Sequence, residues 1–149
     1  MIRVYKATDQ PRLLELLRLN TPDYFAPEEE ADFIRYLGIH QEEHFVWEED
    51  GRLLACGGGN WYPDSDDGRV AWFIVDPDTQ GRGIGMKILQ YCLDHLRTNP
   101  KTDKIIVRTS QMAEGFFARA GFKTVRREKD YWAPGFDLVE MVVVRGDKA

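Results

Sequence analysis

Cysteine is scarce, with only Cys56 and Cys92 in 149 residues. They fall in different expected elements, so the spacing supports neither a disulfide framework nor a zinc cluster, and a reducing, cytoplasmic setting is expected. Histidine is sparse too: His40, His44 and His95 show no metal-ligand spacing, and no metal is expected. A cationic surplus is missing. Twenty Lys and Arg stand against 25 Asp and Glu, a formal net charge of -5, which offers nothing to a nucleic-acid backbone. No run approaches the roughly 18 apolar residues of a membrane span. Met1-Ile2-Arg3-Val4-Tyr5 opens as a strand, without the long apolar core of a signal peptide, so neither secretion nor membrane insertion is expected. Repeats, low-complexity tracts and linkers are absent as well.

What the chain does have is enough apolar material for a packed interior, 43% hydrophobic and 12% aromatic residues in a length typical of one domain. A single domain over residues 1–149 is expected. Ile2 and Val4 alternate with polar residues, as in a strand with one buried face. Thr8 can cap a helix whose Leu13, Leu16 and Leu17 form an apolar stripe ending near Asn20. A second helix is expected from Pro27, with Glu28, Glu29 and Glu30 in its first turn, Phe33, Ile34 and Leu37 on one face and Gly38 as its stop. The loop between these helices carries Tyr24 and Phe25.

Asp50-Gly51 between two apolar runs predicts a tight hairpin. Gly57-Gly58-Gly59 then marks a bulge, a close approach by ligand or backbone, or a flexible strand end. The run from Val70 to Val75 is almost continuously apolar and reads as a central strand buried on both faces. A helix with Ile84, Ile88, Tyr91, Cys92 and Leu96 at helical spacing follows, then a strand over 104–109, a helix over 111–120 closed by Gly121, and strands over 122–127 and 137–144. The expected order is β α α β β β α β α β β.

The chemistry sits where the strand ending at Val75 meets the helix after it. Gln80-Gly81-Arg82-Gly83-Ile84-Gly85 places three glycines at a helix N-terminus, where unpaired backbone N–H groups and the helix dipole favour an anion and glycine lets phosphate oxygens come close. Arg82 and Lys87 can add side-chain charge to the same ligand. A dinucleotide-type G-x-G-x-x-G fails in both registers, because Met86 and Ile88 stand where its last glycine is required, and no P-loop spacing occurs. A purely structural tight turn is the remaining alternative.

Gln80-x-x-Gly83-x-Gly85 resembles the Q/R-x-x-G-x-G/A signature of the GNAT superfamily of acetyl-CoA-dependent N-acetyltransferases, at the place in the element order where that family carries it. The segment Ser110 to Phe122, with Ala113 and the closing Gly121-Phe122, is similar to a second family segment. The resemblance implies a mixed α/β fold with a mostly antiparallel sheet of seven strands and four helices, and acetyl-CoA as cosubstrate. It implies that the Gly81 to Gly85 turn, with Gln80 and Ile84, holds the pyrophosphate. Backbone groups of Ile74 and Val75 would bond the pantetheine arm where two central strands part, with Ser110 and Phe117 also on the cofactor. Where Ser110 and Phe117 stand, many members carry Asn and Tyr; that Tyr gives a proton to the departing thiolate. Phe117 has none to give, so the role is vacant or lies elsewhere, and a catalytically silent CoA-binding or sensory domain is the alternative to an active enzyme.

The reaction implied is direct attack of a neutral amine on the thioester, with neither cysteine needed as nucleophile. The acceptor would be a primary amine of a small molecule, an amino acid or a protein. Ser110 could bond the thiolate or cap the following helix. Tyr131 is a tentative catalytic residue, and Asp23, Asp137 and Glu140 join it as candidate bases. Tyr24, Phe25, Trp61, Tyr131 and Trp132, with Tyr62 beside them, are expected to line an apolar or cationic acceptor's site, the last two from a loop containing Pro134-Gly135. Homodimerisation through a C-terminal strand is compatible with the sequence.

Overall fold

The hairpin signal at Asp50-Gly51 is realised: these residues take φ of 52° and 76°, the paired left-handed turn that matches strand twist. It joins β2 (His44–Glu49) to β3 (Arg52–Trp61). The computed structural model describes residues 1–79 and 81–146. The other strands are β1 (Ile2–Val4), β4 (Gly68–Val75), β5 (Lys104–Thr109), β6 (Lys123–Ala133) and β7 (Phe136–Val144); the helices are α1 (Gln10–Leu19), α2 (Glu29–Ile39), α3 (Ile84–Leu96) and α4 (Glu114–Ala118). The hydrogen-bonded order is β1-β2-β3-β4-β5-β7-β6, seven strands in one mostly antiparallel sheet with a parallel β4–β5 ladder. The fold is therefore the mixed α/β arrangement expected.

By contacts the chain divides into two units, one of Met1–Gly58 with Trp72–Leu89, the other of Gly59–Ala71 with the chain from Gln90 onward. In the first, Leu13, Leu16 and Leu17 of α1 are buried together with Phe33 and Leu37 of α2, Val46 of β2 and Ile74 of β4. The α1 stripe is thus as expected. Its start is not: Ala7–Asp9 forms a 3-10 turn before α1, and Asp9 instead of Thr8 holds the local backbone, its carboxylate accepting the Lys6 N–H at 2.8 Å. Helix α2 begins at Glu29 and runs through Gly38 to Ile39, so neither Pro27 nor Gly38 bounds it. Phe33 and Leu37, one helical turn apart, face the core; Ile34, rotated by about 100°, is 40% exposed.

The three glycines of β3 lie inside the strand, not at a flexible end. A Cβ on Gly57 would meet the Phe73 ring at 2.6 Å, and one on Gly58 would meet His44 Nδ1 at 2.7 Å. The close approach is made by side chains of the same unit. Strand β4 departs from the expectation of burial on both faces: Val70 and Ile74 are buried, while Ala71, Trp72 and Phe73 are half-buried. Within the strand Trp72 takes φ of 58°, outside extended geometry. Its indole stacks on Phe25 (centroids 5.8 Å apart) and packs against Phe33 at 4.8 Å, contacts that hold the strained residue in place.

In the second unit, α3 buries Cys92, Leu93 and Leu96, whereas Tyr91, expected on the same buried face, is 43% exposed. Helix α4 is shorter than expected. Strand β6 is longer, reaching Ala133, so Tyr131 and Trp132 lie on a strand and not in a loop.

His44 gives the first unit a pH dependence. It is fully buried, its Nδ1 lies 3.2 Å from the Tyr36 hydroxyl, and the rings of Tyr5, Phe33 and Tyr36 surround it. Burial first, and His40 second, push its pKa down from 6.5 to about 3. The folded chain therefore keeps a neutral imidazole at pH values where the unfolded chain takes up a proton. Stability from this group is complete above pH 6.5 and falls toward pH 3, by up to about 1.4 kcal/mol per pH unit. Urea unfolding should give a lower midpoint at pH 5 than at pH 7, and His44→Gln should flatten that slope; equal slopes in both proteins would assign the effect to another group.

Candidate functional site

The turn after β4 is built from its flanks inward. Asp76 is buried, and its backbone N–H donates to the Leu54 carbonyl at 2.8 Å. Its carboxylate accepts from the Asp78 N–H at 2.9 Å and from Arg12 Nη2 at 2.9 Å, with Arg52 Nη2 3.7 Å away. Thr79 donates to the Asp76 carbonyl through both its N–H and its hydroxyl, each at 2.9 Å, which winds Pro77–Thr79 into a 3-10 turn. Asn20 of the α1–α2 connection donates to the Val75 carbonyl at 3.0 Å, fixing the strand end. Of the residues expected to meet the pantetheine arm, Ile74 is buried and Val75 half-buried, and this carbonyl is already engaged once.

Gln80, the first residue of the motif, lies outside the described residues. Gly81 and Gly83 take φ of 88° and 73°, the left-handed region that an L side chain resists, and among the described residues a Cβ built on either would find no atom beyond its chain neighbours within 4 Å. This backbone is open to whatever approaches it. Ile84 and Gly85 open α3 and are buried, and the first turn of a helix of this length leaves N–H groups without intrahelical partners. An open glycine backbone leading into such a turn fits a pyrophosphate.

The two expected cations are placed differently. Arg82 Nη2 is held by both Glu49 carboxylate oxygens at 2.8 and 2.7 Å, and Glu49 also accepts from Trp47 Nε1 at 2.6 Å. Arg82, then Trp47, holds the Glu49 carboxyl below its ordinary range. Lys87 is exposed with its Nζ 5.5 Å from the Trp47 ring centroid. Tyr24 is 41% exposed and Phe25 lies against Trp72 in the same unit.

The remaining candidates belong to the second unit. Ser110 is buried after β5, its hydroxyl 3.6 Å from the Met112 sulfur, a weak acceptor. Ala113 stands at the N-cap of α4 with no side-chain cap bond, so Ser110 does not cap that helix. Phe117 is buried edge-on between Phe116 and Phe122. Trp61 donates its Nε1 to Thr102 Oγ1 at 2.8 Å, and Trp132 donates its own to the Thr109 carbonyl at 3.0 Å. Tyr131 and Trp132 meet at right angles, centroids 4.9 Å apart, and the Tyr131 hydroxyl accepts from Arg108 Nη2 at 2.8 Å. Among the candidate bases, Glu140 lies between Arg108 (3.5 Å) and Arg126 (3.7 Å), and Asp137 accepts the Asp130 N–H at 3.0 Å. Both cysteines are buried, and burial pushes the Cys92 thiol pKa up, unlike a nucleophile's.

Sequence reasoning missed Asp76, Arg12 and Asn20, which shape the turn, and Gln111, which ties the β6–β7 hairpin by donating to the Gly135 carbonyl and accepting the Asp137 N–H, both at 2.9 Å. Asp76-Pro77-Asp78-Thr79 does carry a local signal, an aspartate able to bond the backbone two residues on. Its partner Arg12 carries none.

Comparison with known proteins bears on family and fold. The sequence pattern of the Acetyltransferase (GNAT) family matches residues 12–122. The amino-acid acetyltransferase of Neisseria meningitidis serogroup A is 27% identical over 146 residues, covering 90% of this chain and 31% of its own, so the chain spans about a third of that relative's length. Among solved structures, Ard1 from Thermoplasma volcanium superposes with a TM-score of 0.81 at 16% identity, covering 97% of this chain and 96% of its own. N-acetylglutamate synthase from Neisseria gonorrhoeae, complexed with coenzyme A and N-acetyl-glutamate, gives 0.73 at 23% identity, covering 97% and 34%. With the fold, the glycine turn and a family match over most of its length in agreement, the chain belongs to the Acetyltransferase (GNAT) family.

Proposed function

We propose that residues 1–149 act as one cytoplasmic N-acetyltransferase domain that moves the acetyl group of acetyl-CoA to a primary amine by direct attack. The observation that carries this reading is the open backbone at Gly81 and Gly83, leading from a fixed strand end into α3. Backbone groups of Gly81 to Gly85 would hold the pyrophosphate, with Gln80 and Lys87 beside them. Arg82 would join once it exchanges Glu49 for phosphate, an exposed ion pair being worth little. Ile74 and Val75 would hold the pantetheine arm. When bound, the cosubstrate supplies an activated thioester carbonyl; the chain supplies placement and proton transfer.

Phe117 cannot protonate a departing thiolate. Ser110 is the candidate in its place, because its hydroxyl proton is directed at a thioether sulfur, a weak acceptor, and is readily redirected. On the acceptor side, Trp61, Tyr131 and Trp132 are candidates from the second unit, with Tyr131 the tentative catalytic group, and Tyr24 and Phe25 are separate candidates from the first. A silent CoA-binding domain is the second reading, favoured by the buried, protonless Phe117.

Thiol release from acetyl-CoA with a panel of amines separates the two. Acceleration well above the protein-free rate is expected with at least one amine. Ser110→Ala should lower kcat about 10- to 100-fold with little change in the KM for acetyl-CoA. Acetyl-CoA binding without any amine-dependent thiol release selects the silent domain.

A further inference from the structure

The β5–β7–β6 side of the second unit carries an arginine that neither the fold nor the glycine turn requires. Arg108 pairs in register with Glu140 of β7, and Glu140 with Arg126 of β6, so one sheet face shows a row of alternating charge, positive, negative, positive. Glu140 Oε1 is 3.5 Å from Arg108 Nε and 3.7 Å from Arg126 Nη2, so one carboxylate is shared loosely between two guanidinium groups. Arg126 also lies 3.9 Å from Glu128, so Glu140 is not the one carboxylate it can lean on.

Arg108 is also braced. Its Nη2 donates to the Tyr131 hydroxyl at 2.8 Å, and its guanidinium carbon lies 5.2 Å from the Tyr131 ring centroid and 5.9 Å from that of Trp132. The backbone that presents these rings is irregular. Between Glu128↔Leu138 and Ala133↔Phe136, β6 takes five residue steps while β7 takes two. Within that excess Asp130 has φ of 54°, its N–H donates to Asp137, and its own carboxylate accepts the Gly135 N–H at 2.7 Å. A bulge of this kind re-aims side chains, and here Tyr131 and Trp132 form a right-angled corner around an arginine whose side chain is still 37% exposed.

A planar guanidinium held on aromatic faces, with fork donors left over, suits a carboxylate that it can bind through two parallel hydrogen bonds. A neighbouring carboxylate, Glu140, suits the ammonium group of the same molecule. We propose that Arg108 binds the acceptor's carboxylate, which makes the acceptor a free amino acid; this rests on the transferase reading above.

The test compares amino acids, each beside its carboxamide and its decarboxylated amine, in the thiol-release assay with wild type, Arg108→Gln and Arg108→Lys. Wild type should favour the carboxylate form by about tenfold or more in kcat/KM, through KM. Arg108→Gln should bring that ratio to within about threefold, and Arg108→Lys, which keeps charge but not the fork, should fall between. In parallel, N-acetyl amino acids are titrated calorimetrically into the CoA-loaded proteins, and Kd should rise about tenfold or more in Arg108→Gln. Carboxamides used as well as the free acids, or a preference that survives Arg108→Gln, overturns the assignment and leaves the transferase reading intact. Acetyl-CoA binding with neither turnover nor N-acetyl amino acid binding also overturns it. Failure of acetyl-CoA to bind overturns the transferase reading itself.

Discussion

Replacing Arg12 with methionine is expected to destabilise the fold by about 3 to 5 kcal/mol, the range seen when one partner of a buried ion pair is removed and the other stays behind unpaired. The side chain left behind is Asp76, 2% exposed, whose remaining cation, Arg52, lies 3.7 Å away and is itself 66% exposed. Arg12 does more than neutralise it. Its Nε donates to the Leu53 carbonyl at 3.0 Å while its Nη2 reaches Asp76, so one guanidinium ties α1 to the start of β3 and to the end of β4. Urea unfolding checks the size of the effect. The double variant Arg12→Met with Asp76→Asn should lose less than the sum of the two single losses, because it leaves no buried charge alone. Strict additivity would mean that the pair does not act as a unit.

Gly83→Asp should abolish acetyl-CoA binding while leaving the chain folded. The position has φ of 73°, where a residue with a Cβ is strained by roughly 1 to 2 kcal/mol. Among the described residues no atom within 4 Å would obstruct a Cβ there, so the fold should survive. What changes is the charge at the mouth of α3, where a carboxylate would stand against phosphate oxygens at close range and compete for the same N–H groups. A loss of about 100-fold or more in affinity is expected, with thermal unfolding lowered by only a few degrees. A variant that binds acetyl-CoA like the parent would place the pyrophosphate elsewhere.

How far these features were legible in the sequence depends on the range over which each is determined. Asp50-Gly51 and the Leu13/Leu16/Leu17 stripe are local signals, set by backbone sterics or helical period, and the structure places both as expected, while Gly81 and Gly83 take left-handed φ just ahead of α3 and Gly85 is buried within it. Ile34 and Tyr91 were misassigned because an apolar residue at the margin of a helix face is buried only if a neighbour reaches it. The left-handed turns at Trp72 and Asp130 had no local signature, since neither is glycine and their strain is held by packing in one case and by Asp137 and Gly135 in the other. The Arg12–Asp76 pair joins residues 64 apart in sequence, so nothing in either segment announces the other. Nothing local marks Arg108 either, since Tyr131 and Trp132 meet it from another strand through the β6 bulge.

A calorimetric titration of acetyl-CoA into the purified protein and its Gly83→Asp variant addresses the central claim, that the Gly81–Gly85 turn is the cosubstrate's phosphate site. One binding event per chain, weakened by about 100-fold or more in the variant while its melting curve shows a folded protein, is the result predicted. Equal binding by the two proteins, or no binding by either, would contradict it.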